Sequence, residues 1–281
     1  MKAITLPDEL VREPSLSVGV FDYISNQEIS KQHIVLNKNT ISFLREGTKE
    51  VFSENSSFAI DNSQFLLMKS GKCLMTEKLS QTNNYRSILL FFSNEVISEF
   101  IRKFEIRTSK PKINQSIHAF EYDIFITRFV DSLLDITKFS KEIQHNILKI
   151  KFEELMLYLI ESKGTDFLYP LITDPGNPSQ KFIHTVERNK YNKLTLQELS
   201  FLCNMSISSF KREFKKHYLI SPIKWFQNKR LEYAFHLIKD EQKRPSDIYS
   251  DVGYENLSSF IQAYKAKYGL TPKQHQNNLN F

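Results

Sequence analysis

The sequence predicts an α+β chain in two parts: a small antiparallel β-sandwich or barrel with a helical hairpin, then an all-helical domain. Three observations carry this reading. Apolar residues fall in short runs broken by turn formers up to about Phe92, and at helical spacing later in the chain. The basic excess is confined to the last third. In that third a short pattern occurs twice, fifty residues apart: Ser208 to Tyr218 (SSFKREFKKHY) is echoed by Ser258 to Tyr268 (SSFIQAYKAKY), and Pro222 and Pro272 close the two copies at the same offset.

A chain of 281 residues with 41% hydrophobic content can bury substantial cores, and its length suits one large domain or two ordinary ones. Charge favours two. Residues 182–281 hold 16 Lys+Arg against 9 Asp+Glu, whereas residues 1–181 hold 22 against 23. A localised basic excess is the electrostatic footprint of a module that neutralises phosphates. The two cysteines, Cys73 and Cys203, are far apart, so neither a disulfide framework nor a zinc cluster is encoded, and a reducing cytoplasm fits. Asp8, Glu9 and Glu13 stand where a signal peptide needs an apolar core, and Ile88 to Phe92 is too short to span a bilayer. A cytoplasmic protein without membrane contact is the expectation.

The first apolar runs are Ile34 to Leu36, Thr40 to Leu44, Phe58 to Ile60, Phe65 to Met68 and Ile88 to Phe92. Turn formers punctuate them at Asn37 to Asn39, Arg45 to Gly47, Asp61 to Ser63, Ser70 to Lys72 and Thr82 to Asn84. From about Phe120 to Lys163 the spacing is helical. Phe125, Phe129, Leu133 and Ile136 precede a polar break near Ser140, and Ile147, Ile150, Leu155, Leu157 and Ile160 follow it. Two such helices suggest an antiparallel hairpin, which either covers the sheet or forms a dimer surface. Pro170, Pro175, Gly176 and Pro178 break the periodicity, and an interdomain linker is placed at 164–179, between domains spanning 1–163 and 180–281.

Within the last part, Thr195 is placed to cap a short helix from Leu196 to near Cys203, Asn204 occupies a tight turn, and Ser206 can cap the next helix. On that helix Ile207, Phe210, Phe214 and Tyr218 share one face. Ser208, Lys211, Arg212 and Lys215 share another. In the second copy Ile248 and Val252 precede a turn at Gly253 and a cap at Asn256. Leu257, Phe260, Tyr264 and Tyr268 form its packed stripe, leaving Ser258, Ser259, Gln262 and Lys265 as polar candidates. This is the layout of two helix-turn-helix heads, whose second helices enter the major groove of double-stranded DNA. Arg212 and Gln262 suit base edges, and the serines suit phosphates. Ile223 to Lys239 reads as one connecting helix, with Trp225, Phe226, Leu231, Ala234, Phe235 and Ile238 available to pack on both heads.

Residues 180–276 resemble the AraC/XylS family of bacterial transcription regulators. The resemblance is carried by Ser206 to Lys216, Ser221-Pro222, Arg230, Ala234, Ile248, Val252-Gly253-Tyr254, Ser259-Phe260, Tyr264-Lys265 and Gly269 to Pro272. It implies a DNA-binding domain of seven helices attached to a sensing or dimerisation domain, with base contacts falling on Ser208, Lys211, Arg212, Ser258, Ser259 and Gln262. Two positions depart from the pattern: Leu219 stands where Gly is frequent, and Tyr249 where a small Ala is usual. The N-terminal part is similar to the cupin-like sensor domains of this family without a diagnostic motif, so no ligand-binding residue transfers. A metal cupin needs clustered ligands, and the sheet region offers His33 alone. No catalytic residue, metal site or cofactor is expected. A small-molecule effector or a protein partner at the N-terminal domain, and a homodimer through the hairpin, are the partners left open beside DNA. A cupin-type enzyme fused to a DNA-binding module is the remaining alternative.

Overall fold

The computed structural model describes residues 3–10, 16–108, 111, 115–136, 139–173 and 178–277. The chain divides into two compact units, Met1–Pro178 and Ser179–Phe281.

The first unit is built on ten strands: β1 (Ile4–Leu6), β2 (Val18–Ser25), β3 (Ile29–Leu36), β4 (Asn39–Glu46), β5 (Thr48–Phe52), β6 (Ser57–Ile60), β7 (Gln64–Met68), β8 (Gly71–Lys78), β9 (Tyr85–Phe92) and β10 (Ile117–Glu121). They form two five-stranded sheets, ordered β1-β3-β8-β5-β6 and β10-β7-β4-β9-β2. Pairing is antiparallel except between β1 and β3. This is the antiparallel β-sandwich that the sequence predicts. The five expected apolar runs lie in β3, β4, β6, β7 and β9. The sequence reading did not single out β5 and β8, because each carries a charge where a buried strand should be apolar. Lys49 and Glu77 are both buried, their charged atoms 3.3 Å apart, and the Lys49 ammonium also donates to Ser42 Oγ at 3.0 Å. Each charge is tolerable there because the other compensates it.

The second sheet is covered on both faces, which is why β4, β7 and β9 read as near-continuous apolar runs. Leu44, Leu66, Met68, Leu89 and Phe91 belong to one core with residues of the other sheet. Their alternating neighbours Ile41, Phe43, Phe65, Leu67, Ile88 and Leu90 belong to a second core with three helices. These are α1 (Asn94–Lys103), α2 (Ile124–Ile136) and α3 (Lys141–Lys163). Phe125 stacks on Tyr158 with ring centroids 3.9 Å apart, and the Lys151 ammonium lies 5.3 Å from the Phe129 ring, so α2 and α3 run antiparallel as expected.

Two expectations, on Phe120 and on the linker, are corrected here, and the phase of α3, left open by the sequence, is fixed. Phe120 belongs to β10, not to a helix. On α3, Ile150 is 64% and Leu157 38% exposed, while Leu148, Phe152, Leu155, Met156 and Leu159 are buried. An apolar helix read without its neighbours gives no phase, and the sheet covers only one side of it. The segment expected to be a linker folds for much of its length: a 3-10 turn at Asp166–Leu168 leads into α4 (Tyr169–Ile172), and Phe167, Leu168 and Leu171 join the core of the first unit. Pro170 sits in the first turn of α4, where its missing N–H leaves no bond unmade. Pro175 and Gly176 lie outside the described residues.

The second unit contains seven helices among its described residues: α5 (Pro178–Arg188), α6 (Leu196–Leu202), α7 (Ile207–Tyr218), α8 (Pro222–Lys239), α9 (Pro245–Ile248), α10 (Leu257–Tyr268) and α11 (Pro272–Asn277). Aromatic side chains build the first head, where Phe214 contacts Phe182, Phe210, Trp225 and Phe226 at centroid distances of 5.7–6.4 Å. Leu231, Ala234, Leu237 and Ile238 of α8 pack with Ile248, Val252, Phe260 and Tyr264 of the second head. Thus α8 contributes to both cores. Among the described residues no helix is long and apolar enough to cross a membrane.

Candidate nucleic-acid interface

Each head presents its second helix through local chemistry. In the first, Thr195 and Glu198 form a reciprocal capping box, Glu198 N–H donating to the threonine hydroxyl and Thr195 N–H to the carboxylate. Asn204 takes the left-handed turn at φ 56°. Ser206 then caps α7, accepting from Ser209 N–H at 3.1 Å. In the second head Gly253 makes the turn at φ 83°, and Asn256 caps α10, accepting from Ser259 N–H at 2.8 Å.

Phe210 and Phe214 on α7, and Phe260 and Tyr264 on α10, are fully buried, which orients the rest of each helix. Ser208, Lys211, Arg212 and Lys215 are all exposed, as are Ser258, Ser259, Gln262 and Lys265. The structure therefore brings each set together on one accessible helix face. Ile207 is an exception to the packed stripe: it is 40% exposed at the start of α7, beside Ser208. Its position in the first turn carries it past the hydrophobic seam.

The basic run of α7 is less uniform than its sequence. Lys216 donates to Glu213 at 2.8 Å, His217 lies 3.3 Å from the same carboxylate, and together they hold it below the usual range. Lys211, Arg212 and Lys215 have no acidic partner among the described residues, so their charge remains available to an anion.

Both departures from the family pattern have visible forms. Leu219 ends α7 in the left-handed region at φ 59° and is 84% exposed, while Gly269 ends α10 at φ 76°. Tyr249 is half-buried against the core of the second head and follows a first helix of only four residues, against seven in α6. A contact that the sequence reading did not weigh lies between α8 and the second turn, where Arg230 rests on Gly253. The matched pair Arg230 and Val252-Gly253-Tyr254 was a signal for it, but spacing alone does not place a linker-helix side chain on a turn.

Comparison with known proteins agrees with this architecture. Residues 39–169 match the model of the ExsA N-terminal regulatory domain, and residues 200–278 match a helix-turn-helix domain. The thermoregulatory protein LcrF of Yersinia pestis is 25% identical over 232 residues, covering 79% of this chain and 83% of that protein. The HTH-type transcriptional regulator ExsA of Pseudomonas aeruginosa is 22% identical over 262 residues, covering 92% of this chain and 89% of that protein. Among solved structures, ToxT from Vibrio cholerae aligns over 92% of this chain and 98% of that one, with 15% identity and a TM-score of 0.41.

Fold, heads and relatives define a DNA-binding transcription regulator with an N-terminal regulatory domain. This agrees with the resemblance of residues 180–276 to the AraC/XylS family.

Proposed function

We propose that α7 and α10 read two successive major-groove segments of one DNA site. The reading is carried by one observation: two helices fifty residues apart bury equivalent aromatic positions and expose equivalent polar ones. Arg212 donates to a guanine edge and Gln262 pairs with adenine. Lys211 adds a base contact. Ser208, Ser258, Ser259, Lys215 and Lys265 hold phosphates and set the register. The 18 residues of α8 span roughly 27 Å at about 1.5 Å each, comparable to the ~34 Å between successive faces of the major groove. Such a protein works where the chromosome is, in the bacterial cytoplasm. Selection of bound sites from a random DNA pool tests the proposal: paired half-sites one helical turn apart support it, and a single short site counts against two reading heads.

Residues 1–163 serve as the control unit of this reading. A cavity of about 100 Å³ inside the β-domain is lined by Leu6, Leu10, Tyr23, Leu36, Lys49 and Glu77, among others, and its apolar wall with one buried ion pair suits a small amphipathic effector. Dimerisation is supported by α3, where Ile143, Ile150 and Leu157 are exposed at seven-residue intervals. Sedimentation of the full chain and of Ile150→Glu checks this: a dimer lost in the variant supports the helix face, and a wild-type monomer that binds a protein partner through that face replaces it.

A further inference from the structure

We propose that Arg230, on the helix between the two heads, is a phosphate-binding residue that clamps the DNA backbone beside the second head. The inference rests on the reading of unit two as a double DNA-reading module.

Its ground is a cation that finds no acceptor among the described residues. Arg230 is half-buried, its Nε is sealed from solvent, and it makes no hydrogen bond or ion pair among the described residues. A guanidinium offers five N–H donors in a fixed fork, and buried polar groups are almost always satisfied. The neighbouring cations follow that rule. Lys229 donates to Glu232 at 2.9 Å, and Lys267 donates to the Asn228 carbonyl at 2.7 Å and to Glu232 at 3.1 Å. Arg230 alone of these three is left without an acceptor.

The position says which anion supplies it. The Arg230 side chain lies across Gly253, the left-handed residue of the second turn, and the absence of a Cβ there lets it approach within van der Waals contact. Three residues further on, Asn256 caps α10, and Ser258, Ser259 and Gln262 follow on its exposed face. A guanidinium fixed at that turn stands next to the surface offered to DNA, and α8 itself runs between the two reading helices. A phosphate oxygen is an anion that this surface meets on binding, and the fork matches it bidentately. Desolvation disfavours a charge at this half-buried position, and a phosphate in contact compensates it for either basic side chain. Burial does pull the Arg230 pKa down, opposed only by the nearby Tyr254.

The test uses full-length protein on a selected site, first with intact DNA and then with single phosphates replaced by neutral methylphosphonates. On the proposal, neutralising one particular phosphate weakens wild type about tenfold and leaves Arg230→Gln nearly unaffected, and the salt slope of Arg230→Gln falls by about one counterion. Arg230→Lys keeps the wild-type slope, and this comparison stands if Arg230→Gln does not fold. Equal losses at every phosphate for wild type and Arg230→Gln, or a slope lowered in Arg230→Lys, overturn it and assign Arg230 a packing role. Failure of the underlying DNA reading is distinguishable, since wild type itself would then select no site.

Discussion

Arg230 closes over Gly253 so tightly that a methyl group built on the glycine would stand 3.3 Å from both Cδ and Nε of the arginine, at a backbone φ of +83°. The turn of the second head thus depends on a side chain from the connecting helix. Gly269 has a similar φ of +76°, yet none of the described residues comes within 4 Å of a Cβ built there.

Those two glycines separate strain from crowding. Gly269→Ala is expected to destabilise unit two by about 1 kcal/mol through the left-handed backbone alone, and Gly253→Ala by about 2 kcal/mol or more because Arg230 must also move. Trp225 is the sole tryptophan and lies in unit two, so urea unfolding followed by its fluorescence reads that unit. Equal midpoints for the two variants would show that Arg230 yields freely.

Leu219 offers the opposite change. Its φ of 59° is costly for a side chain with a Cβ, and at 84% exposure it has little packing to lose. Leu219→Gly is expected to raise the stability of unit two by roughly 0.5–1 kcal/mol, the relief of strain exceeding the added freedom of the unfolded chain. A lowered midpoint by the same fluorescence would mean that the left-handed backbone costs Leu219 less than the added freedom of the unfolded glycine chain.

Arg212 and Lys215 differ in the expected consequence of their loss. Arg212→Ala should weaken the selected site by roughly 1–3 kcal/mol and relax preference at one base, whereas Lys215→Ala should weaken all sequences alike and lower the salt slope by about one. Titration on specific and random DNA at several salt concentrations measures both. Equal loss on the two DNAs for Arg212→Ala would remove it as a base reader.

The buried pair in the β-domain should behave as a unit. Removing one partner, in Lys49→Met or Glu77→Gln, leaves the other charge uncompensated at a position under 5% exposed and is expected to cost about 3–5 kcal/mol. Replacing both, as Lys49→Met with Glu77→Leu, should recover most of that loss. Chemical denaturation monitored by far-UV circular dichroism gives the cycle, and a double variant as unstable as the sum of the singles would refute the coupling.

Much of unit two was legible because its determinants are local. Caps at Thr195, Ser206 and Asn256, left-handed turns at Asn204 and Gly253, and aromatic residues at helical spacing each act within one or two turns of chain, so the sequence alone located both heads and the exposed faces of α7 and α10. The apolar runs of β4, β7 and β9 were equally readable, since a sheet covered on both faces needs no polar alternation.

What only the tertiary structure decided depends on partners distant in sequence. Strands β5 and β8 exist despite Lys49 and Glu77 because those charges meet each other across the sheet, a compensation invisible in either segment. The phase of α3, with Ile150 outward and Phe152 inward, was set by the sheet it covers; the stretch after Gly164 folded because Phe167 and Leu171 found that same core. Local periodicity determines which elements form and which faces are apolar, but the energy of burying a charge or ordering a proline-containing stretch is settled by whatever packs against it. The same holds for Arg230: its place on a helix was plain from the sequence, and its lack of an acceptor among the described residues, over Gly253, became visible only in three dimensions.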